Sequence, residues 1–340
     1  MPDEIPLQNY KTMKSPFTDK EMKVAKEMRE MTFRKETFSV VFHSYICEDT
    51  KEQFEDEHFS ILNNNQVVNQ YRVRHNIPFP EQIKAIREKY ELSAKKISEL
   101  LGFGTNSWRN YEDGEVPSRA NANLIQMISK PESFEEYILK YSGLEEKESE
   151  KVLKPVKNLK TDSCFCNDQL YRFNCQPDIT TGYKAFDREK TQQLILYFAA
   201  RQSPYKTKMN KLLFYSDFVH FRGTAQSITG LKYAALPHGP VPNHFEYLFE
   251  ALVEEGIISK DYTMTNFGEV EQILPSGEVQ FDPSFFTASE LEAIDYIASK
   301  FKDTSATEIA DISHLEPAWI DNINDKRIIP FTYAFGLETV

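Results

Sequence analysis

The stretch Lys208–Phe245, KMNKLLFYSDFVHFRGTAQSITGLKYAALPHGPVPNHF, constrains this chain more than any other. Its first half carries Met209, Leu212, Leu213, Phe214, Tyr215, Phe218 and Val219. These are more apolar positions than one stripe of a helix holds, so the helix is expected to be buried on most of its circumference. Gly223 should stop it and Gly230 should allow a turn, and the weak alternation of Leu231–Leu236 predicts a short strand. Pro237-His238-Gly239-Pro240-Val241-Pro242 predicts an irregular, rigid segment. A second helix is expected to start with Pro242 near its first position and to run to Gly256 at the C-cap.

Spacing alone gives this region no catalytic signature and leaves a helix-rich packed domain with one stiff loop. The residues add a resemblance. MNKLLFYSDF, then SITGLKYAALPHGPVP, then SHLEPAW at Ser313–Trp319 resemble the Panacea domain, the SocA-like antitoxin domain of bacterial toxin–antitoxin systems. The similarity runs from about Phe186 to Ile329.

At 340 residues, with 40% hydrophobic and 13% aromatic side chains, the chain suffices for two or three domains with real cores. No run approaches the ~18 apolar residues of a membrane span, and MPDEIPLQNYKTMK lacks the basic-then-apolar order of a signal peptide. A cytoplasmic protein is expected. The four cysteines, Cys47, Cys164, Cys166 and Cys175, make no disulfide scaffold, which fits a reducing compartment. Cys164-x-Cys166 has one intervening residue and, with Cys175, no fourth ligand nearby, so free thiols are expected there rather than a metal site. The net charge of −12 divides as −2 over residues 1–77, +1 over 78–130 and −11 over 131–340. An acidic C-terminal part repels a nucleic-acid backbone, so any DNA contact belongs to 78–130.

From the N-terminus, Ser15-Pro16-Phe17-Thr18, the alternating Thr32–Val41, Phe42–Cys47 and Cys47-Glu48-Asp49-Thr50 lay out two turns separated by β-like runs. That is the plan of a zinc ribbon, but the four ligand positions read Ser15, Thr18, Cys47 and Thr50. One thiolate does not hold structural zinc. A ribbon-like module over 1–77 is therefore expected without its metal, built on Phe17, Phe33, Phe38, Val40, Phe42, Tyr45 and Phe54.

Asn65–Asn76 reads as helical, and Pro78-Phe79-Pro80 marks a boundary. Pro80 then opens a helix with Ile83, Ile86 and Tyr90 on one face. Ser93 caps one with Ile97, Leu100 and Leu101, and Gly102 ends it. Thr105 is expected to cap a short helix through Glu112, and Ser118 to open a fourth with Leu124, Ile125 and Ile128. Two short helices joined by a Gly-containing turn are the helix-turn-helix layout, whose second helix enters the major groove; a plain four-helix domain is the alternative. SAKKISELLGFGTNSWRNYEDGEVPS resembles the Xre-type helix-turn-helix of MqsA-type antitoxins, and the ribbon-like region before it resembles the same proteins with their zinc ligands lost. The resemblance puts Asn106 at a base-reading position, suited to a bidentate pair with adenine. Where the zinc-binding relative has a second base-reading arginine, this chain has Asn110, with Arg109 one residue earlier. Lys95, Lys96, Thr105 and Ser107 are candidates for phosphate contacts, and Trp108 and Tyr111 are expected to pack rather than stack on bases.

Gly143–Lys160 is charged and broken by Pro155, and reads as an exposed helix followed by a linker, within a linking segment 143–177. Asp187 should cap a helix with Leu194, Ile195 and Phe198 inward. Ile257–Leu274 reads as a hairpin, and the capping boxes Thr287–Glu290 and Ser305–Glu308 predict helices at about 288–301 and 306–314. His220, His238, His244 and His314 with Asp217 and Glu316 are the ingredients for metal or acid–base chemistry, but none has the spacing of a zinc hydrolase. No enzyme and no cofactor are expected.

The whole reads as an α+β, multidomain protein: a small β ribbon-like module (1–77), an all-α helix-turn-helix domain (78–142), a charged linking segment, and a mainly α-helical domain with a small β-hairpin (178–340). The two resemblances imply an antitoxin that binds a cognate toxin through its C-terminal domain and operator DNA through its helix-turn-helix, as a homodimer on two half-sites. The stiff loop His238, Gly239, Pro240, Val241 and Pro242 is the expected toxin contact. A stand-alone regulator, or an adaptor delivering a partner to a protease, is the alternative.

Overall fold

Alternating side chains draw the first described residues into a long antiparallel hairpin. The computed structural model describes residues 13–162, 173, 175–265, 268–277 and 279–340. Strands β1 (Lys23–Phe33) and β2 (Glu36–Ile46) pair from Lys23↔Ile46 to Phe33↔Glu36, and β3 (Gln53–Phe54) adds two residues beside β2. The turn falls at Arg34 and Lys35, whose φ angles are 46° and 68°. It interrupts the run Thr32–Val41 that the alternation presented as one strand. Two left-handed residues match the twist of a hairpin, but Asn and Gly usually fill them, so FRKE gave no turn signal. Phe38, Val40, Phe42 and Tyr45 are buried as expected, whereas Phe17 is 64% exposed and Phe33 and Phe54 are half-buried.

Helix α1 (Glu57–Arg74) completes this sheet with amide side chains. Asn63 accepts from the His43 N–H at 2.8 Å and donates to its carbonyl at 2.9 Å, and Gln66 does the same for Val41 at 3.0 and 2.8 Å. Each amide thus supplies the donor and acceptor of an absent strand, which satisfies backbone groups that would otherwise be buried unpaired.

The described residues form two compact units. One contains those up to Asn69 together with those from Phe173 onward, and the other runs from Gln70 to Asp162. In the first, the ribbon-like hairpin shares contacts with the C-terminal region. Lys26 Nζ donates to the Phe335 carbonyl at 2.8 Å, the His43 and Phe335 rings lie 4.9 Å apart, and Asn65 and Asn69 donate to the Thr224 and Ala225 carbonyls at 3.2 and 2.8 Å.

The second unit holds α2 (Pro80–Lys89), α3 (Ala94–Leu100), α4 (Ser107–Glu112), α5 (Arg119–Ile128), α6 (Pro131–Tyr141) and α7 (Glu146–Asp162). Ser93 and Ser118 cap α3 and α5 as expected, accepting from the Lys96 and Asn121 N–H groups. Ile83, Tyr90, Ile97, Trp108, Ile125, Ile128 and Phe134 build the core, with Tyr90 stacked on Phe134 at 4.0 Å. Helix α7 differs from the exposed helix expected of its charge. Val152, Leu153 and Val156 join the core, because their spacing places them on one face while the lysines and glutamates occupy the other.

The C-terminal region is built around α9 (Lys206–Thr224), in which every residue from Lys208 to Phe221 is buried. Against it pack α8 (Arg188–Gln202), the hairpin of β4 (Tyr233–Leu236) and β5 (Gly239–Pro242), α11 (Ala288–Lys300), α12 (Ala306–Ser313) and a 3₁₀ turn at Phe331–Gly336. Helix α10 (Phe245–Glu254), the hairpin β6 (Ile258–Thr265) and β7 (Gly268–Pro275), and α13 (Pro317–Ile320) complete it. Both capping boxes form, at Thr287–Glu290 and Ser305–Glu308. The prolines of GPVP make an edge strand rather than an irregular loop, and α10 begins three residues beyond Pro242, after a left-handed His244. The architecture is α+β and multidomain, and no helix among the described residues is long and apolar enough to cross a membrane.

Candidate functional site

The segment of α3 and α4 presents a locked back and an open front. On the back of α4, Trp108 is fully buried and Tyr111 is 6% exposed, which places both in packing roles. Glu112 accepts from Arg87 Nε at 2.7 Å, Arg87 Nη2 at 3.1 Å and Trp108 Nε1 at 2.8 Å, a two-pronged arginine pair that fixes the helix's roll. On the front, Thr105, Asn106, Arg109 and Asn110 are exposed and Ser107 is half-buried. Asn106 itself occupies the N-cap position without a side-chain cap bond, so Thr105 does not cap α4; the chain enters that helix with Asn106 already in the helical region.

Asn110 and the three basic candidates each have an acidic neighbour. Asn110 donates to Glu115 at 3.1 Å, Arg109 lies 3.7 Å from Asp113, Lys95 lies 3.9 Å from Glu99, and Lys96 is paired with Glu148 of α7. Exposed pairs of this kind contribute little, about 0–1 kcal/mol, so they are easily exchanged for another partner.

In the C-terminal region the three sequence segments singled out above meet around α9. Asp217 is fully buried and accepts from the Ile228 and Thr229 N–H groups at 2.7 and 2.9 Å, from the Thr229 hydroxyl, and from Tyr233 Oη at 2.7 Å. Burial pushes its pKa up, opposed by these four donors. The SITG turn is thus wrapped on Asp217. Gly230, with φ of 74°, is required there because a side-chain Cβ would lie 2.4 Å from the Ala185 carbonyl oxygen.

Lys211 is likewise fully buried, donates to the Pro240 carbonyl at 2.9 Å, and has its pKa brought down to about 7 by burial. Gly239 lies over it with φ of 94°, and a Cβ there would meet Ser313 Oγ at 2.3 Å and Lys211 Cε at 2.7 Å. Across the hairpin, Trp319 Nε1 donates to the Leu236 carbonyl at 2.7 Å and its ring stacks on His314 at 4.1 Å. Glu316 is buried and accepts from the Glu338 N–H at 2.9 Å and from Thr339. Residues 209–320 match the family model of the antitoxin SocA-like, Panacea domain. That match spans α9 through α13 and includes SITG, GPVP and SHLEPAW. No curated protein matches the chain.

Of the five residues expected to contact a toxin, His238 is exposed, and Gly239, Pro240, Val241 and Pro242 are buried in the β4–β5 hairpin. His220 Nδ1 meets the Gln226 carbonyl at 2.8 Å and Nε2 meets Ser289 at 3.2 Å, with burial holding its pKa down at about 4. Sequence reading gave no role to Asp217 or Lys211 beyond listing the carboxylate as a chemical ingredient. The available signal was a charged residue in a helix expected to be buried on most of its circumference, where it must find polar partners within the core. Cys164 and Cys166 lie outside the described residues; Cys175 is a free thiol. At the ribbon's knuckles, Ser15, Thr18 and Thr50 do gather at Cys47, with Thr18 Oγ1 at 3.7 Å from its sulfur. Hydrogen bonds led by Ser15 and Thr50 lower the thiol's pKa to about 6. One sulfur and three hydroxyls remain a poor donor set for structural zinc.

Proposed function

We propose that this chain is the antitoxin of a bacterial toxin–antitoxin pair: it neutralises its toxin by direct binding through the C-terminal region and binds operator DNA through α3 and α4 as a homodimer in the cytoplasm. The observation that carries the reading is the Panacea-domain match over residues 209–320, whose motif segments form one connected core around α9. The DNA arm rests on the exposed front of α4 and on its rigid anchoring through Glu112 and Trp108. No reaction belongs to this reading. Asp217 and Glu316 have their acceptors filled by the fold, and His220 is bonded at both ring nitrogens.

Co-expression tests the first arm: the full chain is expected to restore growth to cells expressing the protein of the adjacent toxin-sized reading frame, and failure to do so refutes it. The DNA arm is tested on promoter fragments. Asn106→Ala is expected to cost about 1–3 kcal/mol and relax base preference, while Lys95→Ala weakens binding to all sequences and flattens the salt dependence. Unchanged binding by both variants removes α4 from the DNA contact.

A further inference from the structure

The β6–β7 hairpin carries one face out of the core into solvent. Its register pairs Ile258↔Pro275, Lys260↔Ile273, Tyr262↔Glu271 and Met264↔Glu269, so these side chains share a face. At the base, Ile258 and Ile273 are buried. Lys260 Nζ lies 2.5 Å from Glu250 of α10 and 3.4 Å from Glu271, with its side chain only 6% exposed. Beyond Lys260 the covering ends. Tyr262 is 55% and Met264 76% exposed, and Tyr247 on α10 is 45% exposed.

The same segment holds a large share of the molecule's negative charge. Phe245–Pro275 contains seven carboxylates and one lysine, a net −6 against −12 for the chain. Within it Lys260 and the neighbouring Lys206 serve three carboxylates, Glu246, Glu250 and Glu271. Glu246 and Glu250 keep more than half of their side-chain surface in water.

Tyrosine and methionine are the residue types that anchor protein interfaces, and a ring of like charge around them sets which partner approaches and in what orientation. We infer that this face, with Tyr262 and Met264 at its centre and Glu246 and Glu269 at its rim, is where the toxin docks, and that the toxin's matching surface is basic, with lysines and arginines around an apolar recess. The inference rests on the antitoxin reading and adds the surface and the partner's charge. A second copy of this chain would set carboxylates against carboxylates, and nucleic acid or an anionic membrane would be repelled.

The experiment is calorimetric titration of the full chain with the purified product of the adjacent reading frame, at low and high salt. Wild-type affinity is expected to fall with salt. Tyr262→Ser with Met264→Ser should weaken binding at least about 30-fold, as truncation of two central anchors does. Glu246→Gln with Glu269→Gln should weaken it about three- to tenfold at low salt and flatten the salt dependence. Leu139→Ser, equally exposed but in the other unit, should change nothing. Should the serine pair lower the melting temperature, the glutamine pair decides. If the wild type binds and both pairs bind as tightly with the same salt dependence, the toxin docks elsewhere and the antitoxin reading survives. If the wild type does not bind, both fall. If the serine pair alters the sedimentation of the chain by itself, the face belongs to a second copy and the inference is overturned.

Discussion

Asp217 shows how a single side chain organises a motif. Its four donors come from Ile228, Thr229 and Tyr233, so the carboxylate fixes the SITG turn and the start of β4 together. Asp217→Asn would turn an amide donor toward at least one donor with no acceptor to meet it. The variant is expected to lose about 1–3 kcal/mol, read as a lowered denaturant midpoint, the penalty of leaving a buried donor unsatisfied. The sequence announced the burial of α9 clearly, since Leu212, Leu213, Phe214 and Phe218 cover its whole circumference. It did not announce that Asp217 is the anchor, because its partners lie 11 to 16 residues ahead and only the folded turn brings them back. Glycines told the opposite story. Gly230 was legible as a turn, while Gly239 looked like part of a stiff loop and is instead pressed over Lys211 and Ser313.

At the scale of elements, capping patterns were the most legible signals. Ser93, Ser118, Asp187, Thr287 and Ser305 all cap the helices they were expected to cap, because a cap is decided within four residues. Strand boundaries were less so: the Arg34-Lys35 turn carries no glycine, and the partnering of β2 by amides from α1 is decided by tertiary contact. The four side chains expected together at the two turns do meet, Ser15, Thr18 and Thr50 gathering at Cys47. Because one sulfur and three hydroxyls are a poor donor set for zinc, the element's stability should not depend on metal. Purified protein is expected to carry less than about one zinc per ten chains, and a chelator should leave its melting temperature unchanged; stoichiometric zinc by elemental analysis would contradict this.

For the molecule as a whole, the hairpin and the C-terminal region answer to pH together. His43 is fully buried between Phe59 and Phe335, and burial, aided by Lys26, holds its pKa down at about 4. The unfolded chain protonates His43 near 6.5 and the folded chain only near 4. Stability is therefore fully present above about pH 6.5 and is lost as the pH falls toward 4. At pH 5 the loss from this residue alone is about 2 kcal/mol. His43→Phe should shrink the difference in unfolding free energy between pH 7.5 and pH 5 by about that amount; an undiminished difference would show that His43 is not the sensitive group.

The unit that contains His43 is split by the unit between Gln70 and Asp162, and Lys26 and Phe335 are 309 positions apart. A ribosome adds roughly 5–20 residues each second, so β1 and β2 wait roughly 15–60 s for Phe335 to be made. Meanwhile the intervening helices, contiguous in sequence, can fold first. A newly made chain would thus complete the helical unit before the unit that carries the Panacea-domain match, and the rate of translation would govern the interval between them.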